Sequence, residues 1–96
     1  MKYKEEVLQW ARDRDLIKPE NVLKQYIKTV SEVGELGDAL IKNDKDGIID
    51  GIGDTLVTLI ILAAQLNLNL EECLGAAYNE IKNRTGKTVN GTFIKN

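Results

Sequence analysis

Residues 47–66 read GIIDGIGDTLVTLIILAAQL, and this stretch decides the fold. Its residues favour helix, and from Leu56 to Leu66 it is apolar nearly all round, broken only by Thr58 and Gln65. A helix with no polar face in a small domain cannot be covered by one layer of neighbours, so the run reads as the core of an oligomer. It is too short to span a bilayer. Before the apolar run, Asp50 and Asp54 are four residues apart and share one face of the same helix.

Working outward, Asn43-Asp44-Lys45-Asp46 reads as a turn. Upstream of it a long helix is predicted from Pro19, a residue suited to a first turn, to about Lys42. Its apolar or small-residue stripe is Leu23, Ile27, Val30, Val33 or Gly34, Gly37 and Leu40. A first helix covers about Tyr3 to Asp15. Downstream, Asn69 reads as an N-cap with Glu72 completing a capping box, and a fourth helix runs to about Arg84. From Thr85 on, a loop or short extended tail is expected. The class is all-α, in one domain over residues 1–96, with Cys73 as a packed core thiol.

Glu32 and Glu35 sit three apart on the second helix, so they too share a face. If the second and third helices form a hairpin, Glu32, Glu35, Asp50 and Asp54 can converge. Four like charges in one place are costly unless neutralised. Oxygen-only ligands suit a hard divalent cation, Mg²⁺ or Mn²⁺. Gly34, Gly37, Gly51 and Gly53 lie in the same helices, each costing about 1 kcal/mol relative to alanine. They point to a need for space, for helix approach or for a ligand. The competing reading is a solvated acidic face with incidental glycines. An EF-hand loop is rejected: with Gly47 at its sixth position, Lys42 and Gly53 replace the two most important carboxylates.

Composition removes several alternatives. The 96 residues hold 13 basic and 15 acidic side chains, with no pull toward nucleic acid or anionic membrane. One cysteine excludes an internal disulfide framework. The absence of histidine excludes a histidine zinc site, a Ser–His–Asp triad and a Cys–His dyad within one chain. The start, MKYKEEVLQW, carries charges where a signal peptide needs an apolar stretch, so a soluble, cytoplasmic protein is expected. Clustered carboxylates with a divalent metal suit attack of water on a phosphoanhydride, provided cations hold the rest of the polyphosphate. From Ile81 to Asn96 the chain carries Lys82, Arg84, Lys87 and Lys95 and no acid, and Lys28 lies one turn before Glu32.

Taken together, Gln25-Tyr26-Ile27-Lys28, Glu32-Val33-Gly34-Glu35-Leu36, Ile52-Gly53-Asp54 and Asn79-Glu80-Ile81-Lys82 resemble the MazG-like all-α nucleoside triphosphate pyrophosphohydrolases. That family has a Glu-x-x-Glu pair, a spacer, Glu-x-x-Asp and a later Asn-x-x-Lys. The chain departs from it at Gly51, where the family usually has glutamate, with Asp50 one step back. The resemblance implies a bundle of helices assembled as a homodimer or dimer of dimers. It also implies Mg²⁺-dependent cleavage of a nucleoside triphosphate between its α and β phosphates, giving a monophosphate and pyrophosphate. On that reading Glu32, Glu35, Asp50 and Asp54 bind metal, and Glu35 in preference to Glu32 orients the water. Lys28, Lys82 and Arg84 hold phosphates and Asn79 the sugar or a phosphate. Trp10 and Gln25 are candidates to hold the base, although a sole tryptophan in a small domain also suits the core. The rivals are a non-catalytic helical interaction protein and a degenerate relative that binds nucleotides without cleaving them.

Overall fold

The computed structural model describes residues 1–96. Four α-helices follow in order: α1 Lys4–Asp13, α2 Val22–Lys42, α3 Lys45–Gln65 and α4 Leu70–Ile81. A single 3₁₀ turn, Pro19–Asn21, leads into α2, and its proline sits in the first turn as expected. Three helices stop in the same way. Asp15, Asn43 and Asn67 take positive φ just past α1, α2 and α3. The next residue's N–H then returns to the helix: Leu16 to the Ala11 carbonyl, Asp44 to Ala39 and Leu68 to Ala63. This is the Schellman ending, built here on aspartate and asparagine where glycine is usual.

The α2–α3 pair is an antiparallel hairpin, and its connection is tight because Asp44 does two things. Its N–H helps to close α2, while its side chain accepts from the Gly47 N–H at 3.1 Å and caps α3. The helix thus begins inside the stretch expected to be a turn. Along the hairpin, α3 buries Gly51, Thr58, Ile60, Ile61, Ala63 and Gln65. The polar members of that set bond across the fold. Gln25 donates to the Thr58 carbonyl at 3.1 Å, and Gln65 donates to the Leu16 carbonyl at 2.8 Å. Gly51 marks the close approach: a Cβ there would lie 3.0–3.1 Å from Leu36, its Cα included. Gly34, Gly37 and Gly53 face open space, so only one of the four glycines is explained by helix approach within the chain.

By length and apolarity α3 passes the test for a membrane span. Lys45, Asp46, Asp50 and Asp54 occupy its first half, however, and charges at membrane depth are disfavoured.

Asn69 caps α4, accepting from the Glu71 N–H at 2.8 Å and from Lys4 Nζ at 3.0 Å. The capping bond thus comes from the Glu71 amide, two residues on. Every residue of α4 after Leu70 is exposed, Cys73 included, so the thiol is not a core group of the chain. The tail is a two-stranded antiparallel hairpin, β1 Gly86–Val89 and β2 Thr92–Lys95, with Gly86 opposite Lys95 and Val89 opposite Thr92. Asn90 and Gly91 both have positive φ, as a two-residue hairpin turn requires. That dipeptide was the signal in the sequence, and it outweighs the charged, loop-like look of the segment.

Only 9 of 96 residues are buried. The accessible surface is 7387 Å², against about 5,500 Å² for a compact monomer of this mass. The radius of gyration is 15.8 Å, against about 12.5 Å for a compact chain of this length. Much of the excess is apolar. Leu23, Ile27 and Ile41 on α2 are 76%, 65% and 85% exposed. With Val30, Gly34 and Gly37 they recur in alternating steps of four and three, the seam of a helix that packs along another helix.

Candidate active site

The α2–α3 turn brings the last half of α2 beside the first half of α3. The cleft between them, of about 300 Å³, is lined by Glu35, Asp38, Ala39, Lys42, Asp44, Gly47, Asp50, Gly51 and Asp54. Three of the four acids singled out in the sequence therefore share one cleft. Glu32 lies beside it, buried to 7% exposure. Asp38 also faces the cleft, and it could have been found in the sequence because it follows Glu35 by three residues on the same face. Asp50 lines the cleft, as does Gly51, the position at which the family usually has glutamate.

Charge is unevenly shared among these groups. Lys28 Nζ lies 3.1 Å from Glu32 Oε1, one turn away. Its hydrogen bond holds the Glu32 carboxyl below the usual carboxylate range, and Glu32 in return raises the Lys28 ammonium. Hydrogen bonding to Glu32 and the charge of Glu32 push the Glu35 carboxyl above its ordinary range. Lys28 is thus the counterion of the acid pair. One lone pair bearer is left over: Glu32 Oε2 is buried with no partner.

A divalent cation fits this donor set. All the ligands on offer are carboxylate oxygens, the buried Oε2 has nothing else to satisfy it, and the repulsion that raises Glu35 is what a cation would relieve. In this conformation no three of the acids stand at the spacing of a formed metal site. Glu35, Asp50 and Asp54 are exposed, so their side chains are free to close on an ion.

A second cavity, of about 480 Å³, opens on the other side of Asp54. It is lined by Tyr3, Glu6, Val7, Trp10, Asp54 and Val57. Trp10 is 46% exposed, so the sole tryptophan is a wall of this cavity and not a core residue. Gln25 lines neither cavity; it spends its amide on the Thr58 carbonyl. Asn79, Lys82 and Arg84 also line neither. Arg84 borders a separate hollow with Ile81 and Phe93, where α4 meets the hairpin. Tyr3 and Glu6 escaped the sequence reading, although with Val7 and Trp10 they recur on one face of α1.

An acidic cleft and an aromatic cavity thus meet at one aspartate of a helical hairpin in an all-α protein. The MazG nucleotide pyrophosphohydrolase domain matches residues 18–89, most of the chain, and the chain belongs to that family. It is also similar to an uncharacterized 18.2 kDa protein in the rep-hol intergenic region of Haemophilus phage HP1 (strain HP1c1). The two are 44% identical over 61 residues, which is 64% of this chain and 37% of that protein. The chain therefore spans well under half of that relative's length. No solved structure matches it significantly.

Proposed function

We propose that the protein hydrolyses a nucleoside or deoxynucleoside triphosphate to the monophosphate and pyrophosphate in a Mg²⁺-dependent reaction. The observation that carries this reading is that Asp54 lines both the acidic cleft and the aromatic cavity. A base in the cavity would leave its phosphates at the acids, as cleavage of a polyphosphate requires.

Glu32, Glu35, Asp50 and Asp54 would hold the metal, Mg²⁺ or Mn²⁺. When bound, the ion offsets charge on the phosphate oxygens and makes a bound water more acidic. Glu35, its carboxyl already raised by Glu32, suits the residue that orients a water and accepts its proton. The oxygen of that water bonds to the α phosphorus, the bond to the bridging oxygen breaks, and pyrophosphate leaves. Lys28 is held by Glu32 until a cation takes its place there, and is then free to bind a phosphate.

The remaining phosphate ligands, Lys82 and Arg84, with Asn79 for the sugar or a phosphate, belong in this reading to a second copy. The exposed α2 seam supplies the surface on which two copies meet as a homodimer, alone or within a dimer of dimers. The arm made of α4 and the hairpin carries these cations away from its own body toward the acids of its partner.

The test is product analysis on a panel of nucleotides with Mg²⁺. Pyrophosphate and monophosphate in equal amounts are expected. Orthophosphate with diphosphate, or binding with no turnover, would sink the pyrophosphohydrolase reading; the second result would favour a nucleotide-binding relative, for which Gly51 is the motive.

A further inference from the structure

We propose that Glu6 makes the aromatic cavity select guanine over the other bases, an inference that rests on the nucleotide reading given above. Tyr3, Glu6, Val7 and Trp10 present one face of α1 to the cavity, whose volume of about 480 Å³ is in the range of small-molecule sites. Arg14 stands over the Trp10 ring, 4.3 Å from its centroid, and is anchored to the Trp10 carbonyl at 2.9 Å. A base can therefore stack only on the other face of that ring.

The polar groups in the cavity are few. Asp54 is shared with the acidic cleft. That leaves two polar residues in its wall: Tyr3, whose hydroxyl can donate or accept, and Glu6. Glu6 takes part in neither of the ion pairs of the chain.

An ionised carboxylate offers two acceptor oxygens and no donor. Its best partner is a pair of adjacent N–H groups taken bidentately. Guanine alone among the common bases carries such a pair, N1–H beside the N2 amino group. Adenine and cytosine each set a ring-nitrogen lone pair next to their amino group. Uracil and thymine flank N3–H with two carbonyls. Each of these four would turn a lone pair toward a carboxylate oxygen, and sites built on a polar match reject such analogues strongly.

Two measurements test the idea. The first is pyrophosphate release from dGTP, dATP, dCTP and dUTP by the wild type and by Glu6→Gln. The second is quenching of Trp10, the sole tryptophan, by α,β-imido analogues of dGTP and dUTP, which reads binding without turnover. Guanine is expected to exceed uracil at least tenfold in kcat/KM and in affinity, with the inosine nucleotide, which lacks the N2 amino group, between them. Glu6→Gln should shrink that ratio at least tenfold, since an amide can donate to a uracil carbonyl. Equal use of guanine and uracil, an unchanged ratio in Glu6→Gln, or no quenching by either analogue would each overturn the proposal. Guanine-selective quenching without pyrophosphate release would uphold base selection and bring down the hydrolase reading instead.

Discussion

In the proposed reaction Glu35 is the acid that takes the proton from water, and its neighbours explain what changing it should do. The Glu32 carboxyl pushes it above its usual range, so Glu35→Gln relieves a repulsion while removing the proton acceptor. Turnover should fall by about 10² or more. The melting temperature without metal should hold or rise; a large residual rate with Mg²⁺ would show that another group takes the proton. Asp50 carries a separate expectation. Asp50→Asn should raise the Mg²⁺ concentration for half-maximal activity, read from an activity titration, and an unmoved midpoint would make Asp50 a solvated bystander. Restoring the family's glutamate at position 51 is not a simple rescue, because any Cβ there meets Leu36. The same contact separates two glycines that look alike in the sequence. Gly53→Ala, in open space and off the α2 seam, should gain up to about 1 kcal/mol from helix propensity. Gly51→Ala, pressed against the Leu36 backbone, should lose about 1 kcal/mol net. For a domain of this size that difference is a separation of roughly 10 °C in thermal melts.

At the scale of elements, most of the helical order could be read from the residues because period and punctuation agreed. Pro19 opens the second helix region, Asn69 caps α4, and the acids of α2 and α3 come to one side because a two-residue connection forces a hairpin. Less legible was what faces what. The Leu23–Ile27–Val30 stripe has the pattern of a core face, yet it is exposed in the single chain. Periodicity names a buried face without saying whose surface buries it. Cys73 misled for the same reason, being apolar in type but placed outside the core. The tail was expected as a loop or short extended segment, and its pairing was not legible because the alternation is only four residues long on each side of Asn90-Gly91. The distinction matters for choosing probes. Ile61 is buried within its own chain, so an aspartate there would unfold the protein and say nothing about assembly. Ile27→Asp is the sharper test. Its helicity by circular dichroism should match the wild type, while sedimentation at micromolar concentration should shift from dimer or tetramer to monomer. A wild type that sediments as a stable monomer would refute the seam.

For the whole molecule, the surface is about a third larger than a compact monomer's, and the assembly proposed above would cover part of that excess. The arm of α4 and the hairpin, which lies against little of its own chain, has a consequence that belongs to genetics. If each site joins the acids of one copy to the cations of another, two defective alleles can repair each other. A copy bearing Glu35→Gln keeps its arm, and a copy bearing Lys82→Ala with Arg84→Ala keeps its acids. Refolded together in equal amounts, roughly half the dimers pair one of each, and every such dimer holds one intact site of two. The mixture should therefore recover about a quarter of wild-type activity from two preparations that are each inactive. Were every site built within a single chain, mixing would recover nothing. The same arithmetic makes an acid-dead copy a poison as well as a donor, since it spoils one site in each wild-type dimer that it enters.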